Sequence, residues 1–110
     1  MAESKKCLLQ IRNRSGHRLN LVIQATHVSK VFALSIHRKK RLRLEKGTYV
    51  LEAWLSEGRI RIKPSNIPHI SIERITSRKD VNIRGRKIVA DFINDRARLE
   101  VELERSGDDQ

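Results

Sequence analysis

The feature that most constrains this chain is the period of its apolar residues, which is two almost from end to end. Leu9 and Ile11 alternate with Gln10 and Arg12, Leu19, Leu21 and Ile23 with Asn20 and Gln24, and Phe32, Leu34 and Ile36 with Ala33 and Ser35. The pattern continues through Leu42 and Leu44, through Tyr49, Leu51, Ala53 and Leu55, and through Ile60 and Ile62. After a less regular stretch around Ile70, Ile72 and Ile75, it ends on Ala97, Leu99, Val101 and Leu103. A strand sends successive side chains to opposite faces, so this pattern specifies half-buried strands. It excludes amphipathic helices, whose apolar positions recur every three to four residues.

Turn chemistry fills the gaps between the runs. Arg14-Ser15-Gly16-His17 links the first two runs, Glu45-Lys46-Gly47-Thr48 precedes the fifth, and Ser56-Glu57-Gly58 reads as a tight hairpin between the fifth and sixth. Pro64 and Pro68 bracket the strongest break, because proline cannot donate to a sheet ladder. Ser77-Arg78-Lys79-Asp80 and Arg84-Gly85-Arg86 are further turns, and Asn94-Asp95-Arg96 is expected to close a final hairpin between 87–93 and 97–105. Eight or nine short strands at this spacing predict an all-β fold: a small antiparallel β-sandwich, immunoglobulin-like or jelly-roll-like, or a partly open barrel. The first six strands read as a meander, and those after Pro68 complete a second sheet or cover an open edge. The placement of Asn13, Gly16 and Gly47-Thr48-Tyr49 resembles small immunoglobulin-like sandwich domains at the level of architecture alone. The chain of 110 residues is read as one domain, with a polar arm at 1–7 and a polar tail at 106–110. Aromatic residues are only 4% of it, so the core must be aliphatic.

Charge is the second constraint. The 24 Lys and Arg stand against 13 Asp and Glu, for a net charge of +11. The excess lies in residues 1–87, while 88–110 are acidic, with Glu100, Glu102 and Glu104 alternating in the last run. Three basic clusters stand out: Arg38, Lys39, Lys40, Arg41 and Arg43; then Arg59, Arg61 and Lys63; then Arg84, Arg86 and Lys87. Alternate residues on one strand face repeat at about 6.6–7 Å, close to the phosphate spacing of a nucleic-acid strand. Trp54 falls on the side opposite Tyr49, Leu51 and Leu55, where it could stack on a base. The plainer reading is a solvated or edge-protecting face, or cross-strand ion pairs that join Glu100, Glu102 and Glu104 to the row at 59–63.

Catalytic and metal motifs are not evident. There is no Gly-rich phosphate loop, no Gly-x-Ser-x-Gly and no carboxylate pair in an apolar setting. His17, His27 and His37 lie ten residues apart, with Cys7 and His69 beyond, but no zinc motif has this spacing without a close pair. Cys7, in an apolar run, reads as a small buried hydrophobe. Asn13-Arg14-Ser15 matches a glycosylation acceptor in letters only. No run approaches the roughly 20 apolar residues of a membrane helix, and a single cysteine fits a reducing compartment. The expectation is a cytoplasmic, non-catalytic protein without cofactor or metal, which binds nucleic acid or another polyanion and no membrane. The alternative is a structural subunit of a homo-oligomer or larger assembly, a virion or sheath-like component. Its basic body and acidic C-terminal hairpin would be complementary interfaces.

Overall fold

The computed structural model describes residues 5–26, 31–56, 58–77 and 84–104. The described residues form nine strands and no helix: β1 (Lys6–Asn13), β2 (Leu19–Ala25), β3 (Val31–Ile36), β4 (Lys39–Glu45), β5 (Gly47–Trp54), β6 (Ile60–Ser65), β7 (His69–Ser77), β8 (Arg84–Phe92) and β9 (Arg96–Leu103). One sheet has four strands in the order β4-β1-β9-β6, and the other has five in the order β3-β2-β5-β8-β7. Neighbours are antiparallel except β1 and β9, which run parallel with Leu8 beside Arg96. The inward residues of both sheets form a single apolar cluster, so the fold is a small β-sandwich. β1 already begins at Lys6, which takes Lys6 and Cys7 out of the expected polar arm.

Alternation gives the core directly. Cys7, Leu9 and Ile11 on β1, with Leu99 and Val101 beside them on β9, face Leu21 and Ile23 on β2 and Leu51 and Ala53 on β5 across the sandwich interior, all nearly inaccessible to solvent. Phe92 and Tyr49 meet edge to face at 5.7 Å, and the Tyr49 hydroxyl donates to Glu45 O at 2.6 Å, so its polar tip is satisfied at the rim. Burial pushes the Cys7 thiol above its ordinary range, Lys46 opposes the shift and Asp95 adds to it, so the thiolate is disfavoured.

The connectivity is not the expected meander. Of the eight links between consecutive described strands, only β2–β3 and β7–β8 join neighbours in one sheet; the other six carry the chain across the sandwich. The turns at 56–58 and 94–96, expected as hairpins, are corners of this kind. The reason is that β5 already has β2 and β8 beside it, and β8 has β5 and β7. A chain leaving either strand finds no open edge next to it and must cross to the other sheet. Pro64 does not end its strand either. β6 runs on to Ser65 and tolerates proline because it is an edge strand.

Candidate polyanion interface

The outer face of the four-stranded sheet collects cations from every strand. Opposite residues in a ladder point to the same side, so the register identifies the set. β4 contributes Lys39, Arg41 and Arg43 with Glu45, and β1 contributes Lys6 and Arg12, flanking Leu8 and Gln10. β9 supplies Arg96 and Arg98, then Glu100 and Glu102, and β6 supplies Arg61 and Lys63. Nine cations therefore share the face with three carboxylates. The carboxylates sit at two opposite corners of the face, Glu45 on β4 beside Lys6 and Glu100 and Glu102 at the far end of β9. Glu102 meets Lys63 at 2.9 Å, Glu100 lies 3.8 Å from Arg14, and Glu45 lies 3.8 Å from Lys6. Hydrogen bonding from Lys63, with the charges of Lys63, Arg61 and Arg14, holds the Glu102 carboxyl below its ordinary value against the opposing effect of desolvation. Between these pairs, a groove of about 390 Å³ runs over Leu8 and Gln10, with Arg41 on one side and Arg96 and Arg98 on the other.

At one end of the sandwich this face continues into a broader cleft of about 700 Å³, lined by Arg12, Arg14, Arg18, Arg38, Lys39, His17 and His37, with no carboxylate among its lining residues. Asn13 builds the cleft. Its side-chain amide nitrogen lies 2.6 Å from His17 O, 2.9 Å from His37 O and 3.0 Å from Ile36 O. Its oxygen accepts from Ser15 N at 3.0 Å and Ser15 Oγ at 2.6 Å. Both residues are buried, so one polar cluster ties the β1–β2 corner to the β3–β4 corner. The glycosylation letters at Asn13 thus fall on an amide committed to the interior.

The sequence-predicted residues divide between this surface and others. Lys39, Arg41, Arg43, Arg61 and Lys63 are on the basic face, and Arg38 lines the end cleft. Lys40 lies opposite Ile11, on the core side of the edge strand β4. Arg59 is exposed just before β6, where its carbonyl accepts from Glu104 N. Trp54 and Lys87 belong to the five-stranded sheet, Trp54 half-buried beside Gly85 and Lys87 opposite Glu52. The Arg84 side chain lies outside the described residues. Arg86 points between the sheets: its Nε donates to Ile60 O at 2.9 Å and its guanidinium lies 3.4 Å from Glu104 Oε2. It is a clamp across the sandwich rather than a surface cation. The plainer reading of the 59–63 row therefore holds in part, since Lys63 and Glu102 pair across the β6–β9 ladder.

Reasoning from clusters missed Arg12, Arg96 and Arg98. The signal was present in the alternation: Arg12 follows the Leu9–Ile11 inward pair, and Arg96 and Arg98 interleave with Ala97 and Leu99. Averaging 88–110 into one acidic segment hid the two arginines.

The fold and its face define a β-sandwich with one strongly basic sheet surface. Comparison of the chain with protein-family models, curated proteins and solved structures found no match. Among the described residues, no group of three or more His, Cys, Asp or Glu gathers as a metal site, and no helix is long and apolar enough to cross a membrane. His27 lies outside the described residues.

Proposed function

We propose that this chain is a non-catalytic domain that binds nucleic acid through the phosphate backbone, laid across the outer face of the four-stranded sheet. The observation that supports this most is the nine-to-three excess of cations over carboxylates on that face, gathered from all four strands. Cations along β4 repeat at about 6.8 Å, and β9 stands two strands, or about 9.6 Å, away across the groove. Such a surface neutralises consecutive phosphates of a flexible strand and carries no pattern of base-reading groups. Trp54 is on the opposite sheet, so base stacking is not part of this surface, and little sequence preference is expected. The end cleft extends the contact by one or two phosphates.

The test is the salt dependence of binding to a single-stranded oligonucleotide, read by fluorescence anisotropy. Neutralising about five phosphates gives a slope of about −3.5 in log K against log salt. A slope shallower than about −1, or no binding at low salt, rejects the reading. The acidic C-terminal hairpin supports the head-to-tail assembly alternative less well. Glu100, Glu102 and Glu104 are each engaged within the chain, near Arg14, Lys63 and Arg86 respectively.

A further inference from the structure

The outer face of the five-stranded sheet is the chemical opposite of the basic face. Its middle cross-strand row reads Val31, Gln24, Val50, Val89 and Ile72 from β3 to β7. Val22 and Trp54 add apolar surface beside it. None of these seven residues belongs to the interior apolar cluster or packs against it. The row's two ends, Val31 and Ile72, are 53% and 41% exposed, large values for aliphatic side chains. The face is neutral, with Lys87 and Arg74 against Glu52 and Asp91.

We propose that two copies of this chain dimerise through this face, sheet against sheet. Three observations select a second copy as the occupant. The first is charge placement: in a protein of net charge +11, this arrangement puts the two basic faces on opposite outer sides, as far apart as the fold allows. The second is self-complementarity. Lys87 and Asp91 flank Val89 at equal distance on the same face of β8. A two-fold axis along the Val50–Val89 row sets Lys87 of one copy against Asp91 of the other, twice, and stacks Val50 on Val50. The third is size. Five strands at about 4.8 Å, by three or four outward residues at about 6.8 Å, give roughly 500 Å² a side. About 1,000 Å² in total is the lower bound of a specific interface. The dimer stands independently of the nucleic-acid reading, but it bears on it, because it presents two binding faces pointing away from each other.

The experiment is sedimentation equilibrium at about 100 µM without nucleic acid, in 0.15 M and 1 M salt. The expected result is a dimer in both, because the contact is apolar at its centre. Val50→Glu is expected to weaken association at least 100-fold, and Val89→Lys does the same if Val50→Glu perturbs the fold. Lys87→Asp is expected to weaken it about tenfold, and adding Asp91→Lys to restore it. Val50→Cys is expected to give an intermolecular disulfide on oxidation, while Gln10→Cys on the basic face does not. The native Cys7 is fully buried and contributes no background. A monomer at both salts overturns the proposal, and so does a dimer that survives both Val50→Glu and Val89→Lys. Trapping through Gln10→Cys but not Val50→Cys also overturns it. Nucleic-acid binding by a wild-type monomer would leave the proposed function standing while rejecting the dimer.

Discussion

The two outer faces of this sandwich are built by the same rule and end as opposites. In each sheet the inward positions are mostly aliphatic and the outward positions are free to vary. On the four-stranded sheet they are Arg and Lys on all four strands, with Glu only at two opposite corners of the face. On the five-stranded sheet they are Val, Thr, Gln and Trp with balanced charge. The difference teaches that a net charge of +11 describes no single surface of the molecule. One face carries a net excess of six positive charges, and the other carries none.

The largest expected effect breaks that comparison directly. Arg41→Glu with Arg98→Glu reverses two charges beside the groove and should weaken oligonucleotide binding about 100-fold at 0.15 M salt, with a flatter salt slope. Arg74→Glu with Lys87→Glu makes the same change in net charge on the other face. In a Val50→Glu background, where self-association does not enter, it should cost only a few-fold. Anisotropy titrations of both pairs decide the matter: equal losses would mean that overall charge, and not the face, drives binding.

Next in size is the clamp between the faces. Arg86→Ala leaves the Ile60 carbonyl and the nearly buried Glu104 carboxylate without their partner. It should cost about 2–3 kcal/mol of stability in urea unfolding while leaving the groove intact. Gly85→Ala should cost about 1–2 kcal/mol, because the new Cβ would lie 2.5 Å from Ala53 O and 3.1 Å from Trp54 Cβ, contacts that force the β5–β8 ladder apart. The same measurement checks it, and an unchanged urea midpoint would show that the ladder relaxes freely there.

The smallest effect concerns the acidic margin of the basic face. Glu102 has its value lowered by Lys63, so the stability that this pair contributes is complete above the ordinary glutamate value of 4.5. It is lost as pH falls through the lower folded value. Urea midpoints between pH 7 and pH 3 should therefore decline less steeply in Glu102→Gln than in the wild type.

How much of this was legible in the sequence follows from what alternation encodes. Period two separates inside from outside within a strand, so most of the strands and their inward residues follow from it; it fails at Arg84-Gly85-Arg86, which has turn residues but opens β8, and at β7, where a bulge sends Ile70 inward and Ile72 outward. It does not say whether the turn after a strand pairs its flanks or changes sheet. Ser56–Gly58 has the residues of a hairpin and serves as a corner, because β8, from far along the chain, already occupies the edge beside β5. The same long-range pairing decides which cations become neighbours. Arg41 and Arg98 meet only because β1 and β9 lie side by side between β4 and β6. Conversely, Arg84, Gly85, Arg86 and Lys87 look like one basic cluster along the chain. Strand geometry sends Arg86 inward and Lys87 outward, so these two do not form one basic patch.

The parallel pairing of β1 with β9 bears on when the basic face comes into being. Of the described strands, β1 is made first; it finds its first neighbour only when β4 arrives and lacks its second until β9 has been made. A ladder of such long sequence separation closes late and slowly, because its loop entropy is spent before its contacts repay it. The five-stranded sheet, whose order is set once β8 exists, can form earlier. A nascent or truncated chain would then present its neutral apolar sheet before it owns a basic one. The basic face is therefore complete only once β9 has docked between β1 and β6.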